Sequence, residues 1–98
     1  MYNDKKCIVR CSSAGVFFAE VASLDPATGM AELRDARRLW YWDGAASLSQ
    51  LAQEGVKAPK NCQFTITVPL MTVLGVIEVI PCTEEAVANI DGVPVWKR

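Results

Sequence analysis

The segment Asp25-Pro26-Ala27-Thr28-Gly29 constrains this chain most, because it sets turn-forming residues between two runs that suit extended backbone. The run before it, Val16 to Leu24, is rich in β-branched and aromatic side chains. The run after it, Met30 to Arg34, is expected to pair back across the turn. Upstream, Lys6 to Cys11 alternates, with Cys7, Val9 and Cys11 on one face and Ile8 and Arg10 on the other, and Ser12 to Gly15 reads as a tight turn. A fourth strand is expected through Arg38 to Trp42, which makes the first half a β-meander.

The period then changes. Ser47-Leu48-Ser49-Gln50 matches a capping box, with Ser47 as N-cap and Gln50 reaching back from the third helical position. Leu48, Leu51 and Ala52 form an apolar stripe along the short helix that follows, and Gly55 supplies its stop. After the polar loop Lys57 to Asn61, Gln63 to Val68 alternates again and Pro69 is expected to break pairing. Met71 to Ile80 reads as one long strand bent at Gly75, ended by Pro81. Thr83 is placed to cap a second helix, Glu84 to Ile90, whose early glutamates suit the positive end of its dipole, and Val93 to Lys97 is expected as a last strand. The predicted order is four strands, helix, two strands, helix, strand. The fold class is α+β and β-rich, a small barrel-like or highly curved, mostly antiparallel sheet with two short helices, and residues 1–98 form a single domain.

Composition serves mainly to exclude. With 98 residues, 51% hydrophobic and 21% charged, the chain has enough apolar content for one core and sits far from disorder. A net charge of −1 supplies no positive field for a DNA or RNA polymer. The apolar run from Val68 to Ile77 is interrupted by Pro69, Thr72 and Gly75 and is shorter than the ~20 residues that cross a bilayer. The amino-terminal MYNDKKCIVR lacks the apolar run of a secretory signal, so the cytoplasm is the expected location. Cys7 and Cys11, four apart on a strand, would lie about 13 Å from each other, too far to share a metal or a disulfide. Bridges to Cys62 or Cys82 stay open, but without CxxC spacing or any histidine the four cysteines read as reduced core residues, and neither metal nor cofactor is expected.

The lack of histidine also removes the usual general base and every Ser-His or Cys-His pair, so the chain is expected not to be an enzyme. Adjacent Glu84 and Glu85 point about 100° apart on a helix and read as dipole partners. Neither GxGxxG nor GxxxxGK[ST] is present. The unusual segment is Arg37-Arg38-Leu39-Trp40-Tyr41-Trp42, which leads through Asp43 and Gly44 into Ala45, Ala46 and the helix cap Ser47. On a strand Arg38, Trp40 and Trp42 share one face and Arg37, Leu39 and Tyr41 the other. Rings stack bases, guanidiniums pair with phosphate, and small residues let a ligand approach backbone N–H groups. The plainer reading makes one aromatic face core, covered by arginine stems. A second candidate is the turn Ser13, Ala14, Gly15 and Val16 beside Arg10, which can expose backbone N–H groups.

The stretch Arg38 to Ala52, with Ser13 to Val16, Ile80 to Ala86 and Val93 to Lys97, resembles a widespread family of small phage and prophage proteins, mostly without assigned function. The resemblance covers nearly the whole chain. It departs at the first turn, where relatives carry a tyrosine and this chain has Ser12. It is similar to phage sponges, and so implies a protein that sequesters a cyclic oligonucleotide immune signal as a homo-oligomer. Arg37 or Arg38 would meet phosphate, Trp40, Tyr41 or Trp42 would stack a base, and the two small-residue segments would supply backbone and hydroxyl contacts. The alternative is a protein interaction module or phage accessory protein using the same rings as its contact surface. A third reading, an enzyme on a nucleotide using Asp43, Glu84 or Glu85 with magnesium, is the least favoured.

Overall fold

The structure is a computed structural model and describes residues 5–98; the first four residues of the amino-terminal segment lie outside the described part. Its elements run β1 (Lys6–Cys11), β2 (Val16–Asp25), β3 (Met30–Tyr41), α1 (Leu48–Glu54), β4 (Gln63–Val73), β5 (Val76–Pro81) and α2 (Glu84–Asp91), with one 3-10 turn at Pro59–Asn61. All strand pairs are antiparallel and the order across the sheet is β4-β3-β2-β1-β5.

That order forces curvature. β4 and β5 are opposite edges, yet only Leu74 and Gly75 separate them in sequence. Edges of a flat five-stranded sheet lie four spacings apart, about 19 Å. The three peptide units from Val73 to Val76 reach only about 11 Å. The sheet therefore rolls until the hairpin tips meet: Val76 N donates to Gly29 O at 2.9 Å and Ser12 N to Gly75 O at 2.8 Å. Gly75 has φ +75, and a Cβ there would fall 2.6 Å from Ser12 Oγ, so this closure needs glycine.

Inside the curl, Cys7, Val9, Cys11, Phe17, Ala19, Val21, Ala31, Leu33, Ala36 and Val73 form one buried cluster. No helix contributes to it, so the sheet itself keeps it dry. Half of these side chains are alanine or cysteine, which lets the opposing strands approach and tightens the roll. On the outer face Ile8, Phe18, Leu39 and Phe64 pack with Leu51 and Ala52 of α1 and Ile90 of α2 in a second cluster. β1 is thus buried on both faces, as its Cys7/Ile8/Val9 alternation allows.

The caps form as their residues dictate. Ser47 Oγ accepts from Gln50 N at 3.1 Å and Gln50 Oε1 accepts from Ala46 N at 2.8 Å. Thr83 Oγ1 accepts from Ala86 N to start α2 and donates to Gln53 O at 2.7 Å, tying the two helices together.

Four expectations about strands are corrected. Met30 to Arg34 and Arg38 to Trp42 are one strand, β3, which runs on through Asp35 at φ +49. This local irregularity turns both Leu33 and Ala36 inward and costs little at an aspartate. Pro69 does not end β4: it stands on the free edge, between the pairs Arg34↔Leu70 and Ala36↔Val68, where its missing N–H is not needed. Met71 to Ile80 is two strands, because the chain crosses from one edge to the other at Gly75. Val93 to Lys97 forms no strand; one parallel bridge joins Val95 to Phe64, and Trp96 N donates to Phe64 O at 2.8 Å.

The four cysteines are free thiols, with Cys7, Cys11 and Cys62 buried. Burial raises the pKa of Cys7 and Cys11 above the ordinary 9.0, and burial with the nearby Cys7 pushes Cys82 up to about 12. An acid whose pKa is raised on folding holds its proton in the native state while the unfolded chain loses it. The stability contribution is therefore complete below pH 9 and falls as pH rises toward 12. Urea midpoints at pH 8, 9 and 10 are expected to drop at the last step, and a Cys82→Ala variant is expected to drop less. A flat midpoint through pH 10 would contradict it.

Candidate functional site

Adjacent on β3, Arg37 and Arg38 point to opposite faces and meet different fates. Arg37 shares the outer face with Leu39 and is 5% exposed. Its Nε donates to Thr65 O at 2.8 Å, Nη1 to Ile90 O at 2.9 Å, and Nη2 to Val93 O at 2.7 Å and Phe64 O at 3.5 Å. The plane lies 5.4 Å from the Phe64 ring. These carbonyls come from β4, the last turn of α2 and the segment after it, so the cation sits at the negative end of the α2 dipole. Burial lowers the guanidinium pKa, and the Asp91 carboxylate acts the other way. Arg37 is a clamp within the fold and does not face a ligand.

Arg38 faces inward at the mouth of the curled sheet. Its guanidinium lies 4.7 Å from the ring of Phe17, its cross-strand partner, and Nη1 donates to Ala14 O at 2.7 Å. That is its one hydrogen bond among the described residues, so further N–H donors stay available to a bound group. The turn Ser13-Ala14-Gly15 comes beside it because Gly15 adopts φ +111, and a Cβ at Gly15 would lie 3.8 Å from Arg38 Nη1. Around them opens a cleft of about 410 Å³ lined by Ser13, Ala14, Phe17, Arg38, the last three residues of β4, Met71 to Val73, and Leu74 just after it. The structure thus joins Arg38 to the first-turn candidates Ser13 and Ala14, with Gly15 against them.

Other expected site residues lie elsewhere. Arg10 projects from the outer face and its Nε pairs with Glu78 at 2.9 Å. Val16, Trp42 and Ala45 pack against the outer cluster. Ala46 N and Ser47 Oγ are occupied by the cap of α1. Gly44 is not open to a ligand, because a Cβ there would stand 2.5 Å from Lys57 N, and Lys57 N and Ala58 N donate to Gly44 O and Asp43 O. Trp40 and Tyr41, at the end of β3 where its register with β4 slips, are 66% and 52% exposed and do not line the cleft.

Sequence reasoning missed Phe17 and Met71 to Leu74. Nothing local marks them: they look like ordinary strand residues, and only the crossover at Gly75 brings the end of β4 beside the first turn.

Among the described residues no three His, Cys, Asp or Glu side chains stand together as a metal-binding group. No helix among them is long and apolar enough to cross a membrane.

Fold and cleft together define a small, strongly curved antiparallel sheet with two short helices and one arginine at its mouth. Residues 4–90 match the family described as a domain of unknown function, DUF6948, and the chain belongs to that family. No curated protein and no solved structure matches it.

Proposed function

We propose that this chain is a phage-encoded, non-catalytic binding protein that sequesters a cyclic nucleotide immune signal in the host cytoplasm. The observation that carries the reading is Arg38: an arginine held over Phe17, with donors to spare, beside an apolar cleft. A guanidinium so placed can bind a phosphate oxygen pair through its free N–H donors, and the Met71 and Leu74 side chains offer a base an apolar wall. The Ser13 and Thr72 hydroxyls stand at the same rim. Capture alone lowers free signal, so affinity and copy number replace turnover.

The test is thermal melting against cyclic di- and trinucleotides, with mass spectrometry of the ligand released on denaturation. At a hundred times its dissociation constant a ligand stabilises by about 2.7 kcal/mol, which for a domain of this size raises Tm by roughly 10 °C or more. A selective rise with the ligand recovered intact is expected. A cleaved ligand would overturn the non-catalytic part, and no rise with any nucleotide would overturn the whole reading in favour of a second one. That second reading is a protein interaction module, favoured by the exposure of Trp40, Tyr41, Ile66 and Leu70, four large apolar side chains on β3 and the free strand β4.

A further inference from the structure

We infer that the ligand site is completed by a second copy of this chain, so that one cyclic dinucleotide is held between two Arg38 clefts. The inference rests on the nucleotide reading above and follows from charge and size. A cyclic dinucleotide carries two phosphodiesters on opposite sides of its ring. Each cleft carries one cation, Arg38. Arg37 cannot be the second, since its guanidinium is buried against carbonyls from β4 and the α2 end. Arg10 cannot either, being on the outer face and paired with Glu78. One chain therefore neutralises one of the two charges.

Size agrees with charge. The cleft of about 410 Å³ lies near the low end of the roughly 300–1,000 Å³ typical of sites that enclose a small ligand, and it is open on one side. One nucleotide unit would rest on Met71 and Leu74, since Phe17 is fully buried beneath Arg38; the other would project outward. Leu74 at the rim is 67% exposed, an apolar edge that a second copy would cover. A two-fold ligand presents the same groups to two identical clefts, and a two-fold axis through it makes the contact self-complementary.

Native mass spectrometry and isothermal titration of the full chain with cyclic di-AMP, cyclic di-GMP and mixed cyclic GMP–AMP test this, with AMP as the one-phosphate control. The expected result is half a cyclic dinucleotide per chain and a complex of two chains with one ligand. AMP is expected to bind more weakly, at one per chain, without joining two chains. In equimolar mixtures of the parent chain and an Arg38→Ala variant, ligand-bridged pairs are expected to consist almost wholly of parent chains. One cyclic dinucleotide per single chain would overturn the shared site and leave the nucleotide reading standing. Absence of binding by all three cyclic dinucleotides would remove the shared site, and a cyclic trinucleotide that still bound would keep the nucleotide reading.

Discussion

Arg37→Ala is expected to lower the stability of the fold by about 3 kcal/mol or more, because Arg37 is the one buried charged side chain among the described residues. Removing the guanidinium takes a donor from the carbonyls of Thr65, Ile90 and Val93 at 2.8, 2.9 and 2.7 Å, of which Ile90 O keeps the Val93 N–H at 3.1 Å. Each buried acceptor left unpaired costs roughly 1–3 kcal/mol. The side chain also fills space against Phe64, so its loss adds a cavity term of the same sign. Domains of this size are stable by only about 5–15 kcal/mol, so a loss of about 3 kcal/mol removes between a fifth and more than half of the total. Urea unfolding followed by far-ultraviolet circular dichroism reads the effect directly. Arg37→Lys is expected to recover little, since one ammonium cannot reach carbonyls on three separate segments as the planar fork does. If Arg37→Ala stayed within about 1 kcal/mol of the parent, the clamp would be a packing coincidence.

The contrast between these two arginines shows what the sequence could and could not say. Alternation on a strand puts Arg37 with Leu39 and Arg38 on the other face, and the structure keeps that division. What the local pattern cannot reveal is which face is closed. The outer face of β3 is covered by α2 and residues 93–96, whose docking depends on contacts more than fifty positions away. The same limit explains the strands. Turn chemistry placed β1, β2 and the Asp25-to-Gly29 turn correctly, because those signals are local. Pro69 looked like a break because proline is unfavourable in a regular central ladder, and the polar stretch around Asp35 fell between two expected strands. They stand across from one another where the β3 backbone is irregular and β4 is a free edge, so neither ends its strand. Gly75 read as a bend within one strand, and its actual role is a crossover between opposite edges. That difference curls the sheet until its hairpin tips touch and brings the end of β4 beside the first turn, where the cleft opens. The small residues Gly44 to Ser47 suggested ligand access, but small size serves two ends. Here it admits the 57–58 backbone and a helix cap.

Arg38→Ala is expected to leave the fold intact and to weaken nucleotide binding by about a hundredfold. On the folding side the variant loses one hydrogen bond to Ala14 O and a cation–π contact with Phe17. These are worth about 1–2 kcal/mol together at a partly exposed site. On the binding side it removes the one cation in the cleft, and truncating one partner of a buried charge pair costs 2–5 kcal/mol, of which about 2.7 corresponds to a hundredfold. The measurement is the dissociation constant of the cyclic nucleotide that stabilises the parent, taken beside the urea midpoint of each variant. Arg38→Lys separates charge from shape: it keeps the positive charge and loses the bidentate fork, so an affinity between parent and alanine variant is expected. Parent-like affinity in Arg38→Ala would place the ligand elsewhere and make the exposed Trp40 and Tyr41 the next residues to replace. Loss of binding with a urea midpoint lowered by no more than that small folding loss would instead tie affinity to the mouth of the curled sheet. No Arg37 variant can make that distinction, because its binding defect would follow from unfolding.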